Sequence, residues 1–467
     1  MSQSTQQEVP EGYKQTEVGV IPEDWDVLPL GRLCSYQNGT AQESYFNKHG
    51  GYKIISIGNY SQNGKFVSTG TYIGHQHKSV IKKFILNKGE LTMILNDKTS
   101  VGTIIGRVLL IDKSNEYVMN QRTMRLTPNG KVSSDFLFFL INSDLVHKSI
   151  VDLAKPGTQI YINTDDVTGL PLCFPIEPEE QTAIAEALSD VDGLIGSLER
   201  LIAKKRAIKT AAMQQLLTGK KRLPPFDQTH TGYKQTDLGE IPNDWEVKKL
   251  GDVFEITSSK RVFQSDWKNK GVPFYRAREL AVLGDLGVIE NDLFITSQMY
   301  DSFKTQYGVP KVGDMLVTGV GTLGKTYVVR NEKEFYFKDG NIIWFKMAGK
   351  VSADFVDQMF KSPIVKKQIE NSSAGTTVGT YTITGANKTI LPFPSSRKEQ
   401  DLIGQLLADM DIDISGLLTR LDKTQQIKQG MMQELLTGRT RLVKSRGELR
   451  VRRKKAVDSS ELRVESE

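Results

Sequence analysis

The sequence predicts an α+β protein in which two pseudo-twofold-related, mostly β globular domains are joined by two long antiparallel coiled-coil helices. Three observations predict this class. The chain contains an internal duplication, each copy ends in a helical stretch of about 40 residues, and the rest of each copy is rich in Gly, Thr, Val, Tyr and Phe with frequent turn signals.

The duplication is visible in three pairs of landmarks that occur in the same order. "GYKQTEVGVIPEDWDVLPLG" at residues 12–31 recurs as "GYKQTDLGEIPNDWEVKKLG" at residues 232–251. "GKVSSDF" at 130–136 recurs at 349–355 as "GKVSADF", and "LLTGKKRL" at 216–223 recurs at 435–442 as "LLTGRTRL". The chain is therefore a tandem repeat of a unit of about 220 residues.

Each long helix is predicted from an apolar heptad pattern. The first begins near Pro178 with acidic residues in its first turn, and Gly219 and Gly438 end the two helices. Apolar residues follow the alternating 4, 3 spacing of a coiled-coil seam, and we expect the two seams to pack on each other. The seam positions are Ile184, Leu188, Val191, Ile195, Leu198 and Ile202 in the first helix, and Ile403, Leu407, Met410, Ile414, Leu417 and Leu421 in the second.

These patterns divide the chain into five predicted segments. They are a first globular domain with an N-terminal arm (1–178), a central long helix (179–222), a second globular domain (223–397), a distal long helix (398–440) and a basic, disordered tail (441–467). Within the domains, "SSDFLFFLINSDLVHKSIV" and "SADFVDQMFKSPIVKKQIE" are predicted to be helical and to begin with Ser caps.

Composition limits the class of protein. The chain of 467 residues has two distant cysteines, Cys34 and Cys173, and no apolar stretch long enough to span a bilayer, so we expect a cytoplasmic protein without a membrane partner or a disulfide framework. The net charge is +6, and residues 444–467 hold eight Lys/Arg and five Asp/Glu. A role of this tail in following DNA is the alternative to a solvated end.

One motif suggests a competing function. Residues 319–326, "GVGTLGKT", match the phosphate-binding pattern G-x-x-x-x-G-K-[ST] and contain G-x-G-x-x-G. The pattern needs a following helix, but "YVVRNEKEFYF" predicts two strands of a hairpin. At an offset of 219, Val320-Gly321-Thr322 falls on Val101-Gly102-Thr103, which favours a repeated hairpin turn. An NTP-dependent enzyme remains the alternative.

Other motifs give no catalytic or metal site. No H-E-x-x-H, G-x-S-x-G or [DN]-P-P-[YF] pattern is present. His75 and His77 form an H-x-H that is more typical of a solvated loop than of a metal site, and Asp165-Asp166 is typical of a helix cap or turn. We therefore expect a binding protein with no catalytic residue and no metal ligand of its own.

At the starts and ends of the long helices the sequence resembles a known family. "PIEPEEQTAIAEAL" and "PSSRKEQDLIGQLL" carry a P-x-x-E-Q start, a D-x-D follows inside each helix, and both helices end in "MQ[QE]LLTG". Together with two recognition-like halves, these features resemble the specificity subunit of type I restriction–modification enzymes, over residues 12–442.

The resemblance implies recognition of double-stranded DNA without catalysis. Each domain would recognise one half of a bipartite asymmetric site, and the helix pair would set the gap. Two methyltransferase subunits would dock on the helices, and restriction motor-nuclease subunits would join them. S-adenosylmethionine, ATP and magnesium would be bound by those partners and not by this chain. A DNA-binding scaffold without partners is the further alternative.

Residues for DNA contact are predicted from Lys, Arg, Asn and Gln side chains and from Gly-Thr turns. Lys204, Lys205, Arg206 and Lys209 are expected to face solvent or a partner subunit. The candidates are Lys98, Thr99, Arg107, Gln121, Arg122, Gly157, Thr158 and Gln159 in the first domain, and Arg276, Arg278, Lys325, Thr326, Asn341, Gly375, Thr376 and Thr377 in the second.

Overall fold

The computed structural model describes residues 9–453 except 100, 156–158, 229–231, 288, 348, 350, 374–378 and 446–447. It confirms the predicted α+β class. The contacts of the chain group it into two compact units, one formed by residues 1–197 with 422–467 and the other by residues 198–421. Each unit thus contains one globular domain and a portion of both long helices.

The first repeat consists of short strands and short helices. Its strands are β1 (Tyr13–Thr16), β2 (Gly19–Pro22), β3 (Trp25–Pro29), β4 (Cys34–Asn38), β5 (Phe46–Asn47), β6 (Tyr52–Ile55), β7 (Tyr72–Ile73), β8 (Leu91–Ile94), β9 (Asn96–Asp97), β10 (Val108–Leu110), β11 (Tyr117–Met119), β12 (Thr123–Pro128), β13 (Ile160–Tyr161) and β14 (Pro171–Pro175). Its α-helices are α1 (Leu30–Leu33), α2 (Lys78–Ile81), α3 (Ser134–Ile141), α4 (Asp144–Leu153) and α5 (Thr164–Thr168), and 3-10 turns cover Glu43–Tyr45, Ile57–Asn59, His75–His77 and Lys82–Phe84.

The long helix α6 (Pro178–Leu216) leads into the second repeat. The strands of that repeat are β15 (Tyr233–Thr236), β16 (Gly239–Pro242), β17 (Trp245–Lys249), β18 (Glu255–Thr257), β19 (Val272–Tyr275), β20 (Phe294–Ile295), β21 (Met315–Thr318), β22 (Thr326–Val328), β23 (Tyr336–Phe337), β24 (Ile342–Lys346) and β25 (Ile390–Pro394). Its helices are α7 (Leu250–Val253), α8 (Ala277–Leu286), α9 (Ser297–Gln306), α10 (Ala353–Lys361), α11 (Pro363–Ser373) and α12 (Ile383–Lys388), with 3-10 turns at Phe226–Gln228 and Gln264–Asp266. The second long helix α13 (Arg397–Leu435) is followed by the hairpin β26 (Thr440–Ser445) and β27 (Glu448–Arg453).

The main sheets of the two units have matching topology. In unit 1 the strand order is β10-β8-β12-β4, and in unit 2 it is β22-β21-β24-β18, all antiparallel. The second sheet of each domain contains one parallel pair, β6 with β11 and β19 with β23.

The predicted helices after G-K-V-S are confirmed, although each is divided into two. Ser133 caps α3 and Ser143 caps α4 by accepting a backbone hydrogen bond, and Ser352 does the same for α10. In the second repeat the division falls at Pro363, the first residue of α11, because proline is favoured at a helix start and disfavoured within one.

Both long helices begin within one residue of their predicted starts and are followed by the predicted glycines, but they end at Leu216 and Leu435, six and five residues before the predicted bounds of 222 and 440. They are 39 residues each, and Gly219 and Gly438 adopt φ of +68° and +69° just beyond their last residues. The backbone amide of Gly219 donates to the carbonyl of Leu216, which satisfies one of the free carbonyls at the helix end.

Within unit 2 the two long helices run antiparallel. Lys205 on α6 pairs with Asp413 on α13 at 2.6 Å, and one helical turn further along α6 Lys209 pairs with Asp411. Residue numbers therefore rise along one helix as they fall along the other. In unit 1, Lys428 of α13 lies 2.8 Å from Asp192 of α6.

The heptad positions have two different environments. The first two positions of each helix belong to the globular cores, since Ile184 and Leu188 pack in the core of unit 1, and Ile403 and Leu407 pack in that of unit 2. The heptad spacing did not reveal that these four residues also contribute to the globular cores. Of the later positions, Ile195, Leu198, Ile202 and Ile414 are buried, and Val191, Met410, Leu417 and Leu421 are half-buried.

The tail is more ordered than the sequence suggested. Residues 440–445 and 448–453 form the antiparallel hairpin β26–β27, so a disordered segment from residue 441 is wrong for its first part. The sequences "TRLVKS" and "ELRVRR" partly alternate apolar with polar residues, as strands do. Residues 454–467 lie outside the described part of the chain.

Candidate nucleic-acid interface

The loop after β9 carries the first candidate residues. The buried carboxylate of Asp97 accepts hydrogen bonds from the amide of Thr99 at 2.9 Å and from the amide of Ile104 at 2.7 Å. Lys98 and Thr99 are exposed on this loop. A buried acid thus fixes the backbone, and the cationic Lys98 is presented to solvent.

Arg122 lies in a turn close to this loop. It is one of two described non-glycine residues with positive φ, at +65°, a conformation that costs of order 1 kcal/mol. Its guanidinium donates to the Oε1 atom of Gln159 at 3.1 Å, and its carbonyl accepts from the amide of Leu95. Because β13 follows Gln159 and pairs with β9, the structure brings Lys98, Arg122 and Gln159 to one edge of the domain.

Gln121 is also exposed and has a partner that the sequence did not reveal. Its side-chain nitrogen donates to Oε1 of Glu43 at 2.7 Å, and Asn120 donates to the same oxygen at 2.9 Å. Hydrogen bonds, first of all the one from Asn120, hold the pKa of Glu43 below its ordinary value. Glu43 is 78 residues away in sequence, so no local pattern could have indicated it.

Arg107 has a different environment from that predicted for a DNA contact. It is buried, its guanidinium donates to the backbone carbonyl of Asn142, and Asp144 lies 3.8 Å from it. Burial lowers the pKa of Arg107, and the charge of Asp144 opposes that shift. These contacts indicate a structural role in joining β10 to α3 and α4. Gly157 and Thr158 lie outside the described residues.

In unit 2 the start of α8 presents two arginines. Arg276 is held by Glu279, whose carboxylate accepts from the Arg276 backbone amide at 3.1 Å and from its guanidinium at 2.6 and 3.0 Å. Arg278 is exposed. The helix packs against β22 so closely that a Cβ at Gly284 would collide with the carbonyl of Thr326, which places α8 next to the 319–326 turn.

The 319–326 turn is a β-hairpin and not a phosphate-binding loop. Strand β22 follows it directly and pairs with β21, with Val317 opposite Thr326. The predicted hairpin within "YVVRNEKEFYF" is wrong, because β22 pairs with β21 whereas β23 pairs with β19. The Thr326 side chain is buried and donates to Asp357, so it faces the protein core.

The backbone around Gly319 brings two further candidates into place. Gly319 donates to the carbonyl of Asn341 at 2.8 Å and accepts from the amide of Tyr381 at 2.9 Å, while the amide of Lys325 donates to the Thr318 hydroxyl. Lys325 and Asn341 are both half-buried at this end of the sheet. Gly375, Thr376 and Thr377 lie outside the described residues.

The alignment of V-G-T between the repeats does not mark equivalent positions. Strand register makes Leu91 equivalent to Met315 and Leu110 equivalent to Val328, offsets of 224 and 218. The turn in the first repeat is therefore six residues longer than that in the second. The conclusion that both are hairpin connections is unaffected.

A basic and aromatic loop in unit 2 escaped the sequence analysis. Residues 258–263, "SSKRVF", follow β18 and are fixed to the opposite turn by Ser258 Oγ, which donates to the carbonyl of Ile342 at 2.7 Å, and by Ser259 Oγ, which donates to that of Phe337. Arg261 pairs with Asp339 at 3.0 Å, and Phe263 is 62% exposed. In the sequence, the available signal was the adjacent Lys260 and Arg261 followed by the aromatic Phe263.

The basic residues of α6 have mixed environments. Lys204 and Arg206 are exposed and Lys205 pairs with Asp413, in agreement with their predicted place on the surface. Lys209 is instead buried, and that prediction is wrong because Asp411 compensates its charge. Lys361 and Gln358 of α10 also contact Asp411, at 3.1 and 3.0 Å, which joins both long helices of unit 2 to the globular domain.

The remaining motifs have structural environments. The rings of His75 and His77 lie against Tyr52 and Tyr45, and Asp165 and Asp166 lie in the first turn of α5. Within the described part of the chain, no group of three or more His, Cys, Asp or Glu side chains is arranged to hold a metal ion. Across the same residues, every helix is too short or too polar to cross a lipid bilayer.

Comparison with known proteins agrees with this architecture. The type I restriction modification DNA specificity domain family matches residues 22–205 and 242–429, once in each repeat. The putative type I restriction enzyme MjaX specificity subunit of Methanocaldococcus jannaschii is 27% identical over 451 residues, which span 92% of this chain and 97% of the relative. The MjaVIII specificity subunit of the same organism is 28% identical over 448 residues, spanning 92% and 96%.

A solved structure shares the fold. The crystal structure of the type I restriction–modification system S subunit from M. genitalium aligns with a TM-score of 0.58 at 18% identity, covering 88% of this chain and 96% of that one. The two matched repeats, which together cover most of the residues, establish that this chain belongs to the type I restriction modification DNA specificity domain family.

Proposed function

We propose that this chain is the DNA-recognition component of a type I restriction–modification complex and has no catalytic site of its own. Each globular domain recognises one part of a bipartite, asymmetric DNA site, and the long helices fix the gap between the two parts. The chain directs two methyltransferase subunits and the restriction motor-nuclease subunits to that site. S-adenosylmethionine, ATP and magnesium are bound by those partner subunits and not by this chain.

The observation that carries the proposal is the double family match combined with divergence at equivalent positions. Register makes Asn120, Gln121 and Arg122 equivalent to Asp339, Gly340 and Asn341. An exposed amide in the first repeat thus corresponds to a glycine in the second. Two domains with the same framework and different hydrogen-bonding groups are suited to recognising two different half-sites.

The helices supply a spacer of suitable length. At about 1.5 Å per residue, a helix of 39 residues is about 58 Å long, compared with about 34 Å for one turn of DNA. Ion pairs hold α6 and α13 together within each unit, Lys428 with Asp192 in unit 1 and Lys205 with Asp413 in unit 2. A stiff spacer would hold two half-sites at a fixed distance.

Exchange of one domain tests the proposal. Residues 12–177 are replaced by the corresponding domain of a relative with a known half-site, and genomic methyladenine is mapped in cells that express the partner subunits. We expect one half-site to change while the other half-site and the gap stay the same. The reciprocal exchange of residues 232–397 is the matched control, and a change in both half-sites after either exchange would contradict the proposal.

Two measurements, of ATP binding and of genomic methyladenine, distinguish the two alternative functions from this proposal. An NTP-dependent enzyme using Gly319–Thr326 would bind ATP, and Lys325→Ala would abolish that binding, whereas we expect no ATP binding by the isolated wild-type chain. A DNA-binding scaffold without partners would bind its site but leave the methyladenine map of the cell unchanged when the chain is removed.

A further inference from the structure

The amide of Gln121 is held in one orientation by an acidic partner. Because the pKa of Glu43 is lowered, its carboxylate is ionised at neutral pH and can only accept hydrogen bonds. The NH₂ group of Gln121 must therefore be the group that faces Glu43, at 2.7 Å. The ambiguity between nitrogen and oxygen that usually affects such amides is removed here by charge.

The partner itself is fixed on both sides. Asn120, which is 4% exposed, donates to Glu43 through its side-chain nitrogen and accepts from the backbone amide of Gln42 through its side-chain oxygen at 2.9 Å. The backbone amide of Asn120 donates to the carbonyl of Ile55 at 3.0 Å. Gly39 passes so close to the Asn120 carbonyl that a Cβ there would collide with it. The Glu43 carboxylate therefore has a defined position before any DNA binds.

With one N–H of Gln121 used by Glu43, its side-chain oxygen and second N–H remain available. This pair of one acceptor and one donor matches the N6 and N7 atoms of adenine in the major groove, which glutamine recognises through two hydrogen bonds. A rotated amide would exchange donor and acceptor, and the ionised Glu43 disfavours that rotation. The equivalent position in the second repeat is Gly340, which has no side chain to make such a contact.

Resting on the proposed function, we infer that Gln121 recognises an adenine in the half-site of the first domain and that Glu43 is a positioning residue that fixes the orientation of the Gln121 amide. Glu43 itself needs no contact with the base. Its effect is on the choice of base at one position.

The test is a selection of bound sequences from a random duplex library by the purified full chain. Wild type is expected to enrich a two-part motif with adenine at one position that depends on Gln121. Gln121→Ala should reduce the preference for adenine at that position by about tenfold and leave the other half-site unchanged. Asn341→Ala removes an amide from the second domain, next to Gly340, and serves as the control for the other half-site; it should leave this adenine unaffected.

Two further variants test the positioning role. Glu43→Gln can donate as well as accept, so it allows both amide orientations and should weaken the adenine preference. In the double variant Glu43→Gln/Gln121→Glu, the amide at position 43 donates to the carboxylate at position 121, so donor and acceptor are exchanged. The carboxylate then offers DNA only an acceptor, which should shift the preference from adenine to cytosine, whose N4 group donates. A role in folding alone would alter thermal stability without altering the preferred base.

The possible outcomes distinguish failure of the proposed function from failure of the inference about Gln121 and Glu43. If wild type enriches no motif, the proposed function and this inference both fail. If wild type enriches a two-part motif that Gln121→Ala leaves unchanged at every position, this inference fails and the proposed function stands. An adenine preference that is as strong in Glu43→Gln as in wild type would overturn the positioning role.

Discussion

Arg441 and Glu180 are 261 positions apart and form a two-point ion pair, with Nε and a terminal guanidinium nitrogen of Arg441 each 2.6 Å from a carboxylate oxygen. The second repeat has the equivalent pair Arg222 and Glu399, at 2.7 and 2.6 Å. In unit 1 the residues after α13 thus bind the start of α6, and in unit 2 the residues after α6 bind the start of α13. The recurrence indicates that the starts of both long helices are held by the same kind of arginine–glutamate ion pair.

Loss of one of these pairs is expected to destabilise one unit selectively. Glu399 has a fully buried side chain, so Arg222→Met leaves its carboxylate without its main partner and should lower the free energy of unfolding of unit 2 by about 3 kcal/mol. Hydrogen exchange read separately over residues 198–421 should show the loss. Arg441→Met is the matched control and should affect unit 1 instead, and equal loss of protection in both units after either change would contradict the account.

The cluster around Asp411 predicts a dependence of stability on pH. Burial opposes the ionisation of Asp411, but the charges of Lys361 and Lys209 outweigh it, and the net result is a pKa below the ordinary value of 3.8. A lowered acid pKa stabilises the folded state above the unfolded pKa and loses that effect as the pH falls through the folded pKa. Wild type should therefore lose stability more steeply than Asp411→Asn below about pH 4.

At neutral pH the same variant should be less stable than wild type. Asp411→Asn leaves the buried Lys209 without its carboxylate, and we expect a cost of about 1–2 kcal/mol because Asp411 is partly exposed. Denaturant unfolding measured across a pH series checks both statements. Parallel pH profiles for wild type and variant would show that the Asp411 carboxylate is not responsible for the loss of stability at low pH.

Two arginines of the first domain are expected to give opposite results. Arg107→Ala removes the buried guanidinium that contacts the Asn142 carbonyl and should cost about 2 kcal/mol of stability without changing the preferred DNA sequence. Arg122→Ala should change DNA affinity and leave stability within about 0.5 kcal/mol, since the side chain is exposed. Thermal melting and DNA titration of both variants check this. A base preference altered only by Arg107→Ala would reverse the two assignments.

The strained backbone of Arg122 offers a separate test. At φ of +65° a glycine avoids the strain that a side chain causes, so Arg122→Gly should be more stable than Arg122→Ala by about 1 kcal/mol. Both variants lose the contact with Gln159. Equal stability of the two would show that the left-handed conformation is not retained.

The repeat and the helices were predictable because their signals are local or recur. The 4, 3 spacing of apolar residues and the glycine after each helix fix a helix without knowledge of its neighbours. Repetition made the prediction stronger, since Ile184 and Ile403 occupy the same place in two copies.

The recognition surface was less predictable because its contacts join distant segments. Glu43 and Gln121 lie 78 positions apart, and Arg261 and Asp339 also 78, so neither pair has a pattern within a short window. Arg107 has the composition of a DNA contact, but the carbonyl that binds it comes from residue 142. The turn in the first repeat is six residues longer than that in the second, and this difference misaligned the two V-G-T sequences. A constant offset taken from flanking landmarks cannot reveal a change in loop length between them.

The central claim is that the long helices set the gap between two separately recognised half-sites, and removal of one heptad from each helix tests it most directly. Deleting residues 198–204 and 417–423 shortens each helix by about 10 Å, which corresponds to about three base pairs of DNA. Selection of bound sequences should then yield the same two half-sites with a gap about three base pairs shorter. An unchanged gap between unchanged half-sites would contradict the claim.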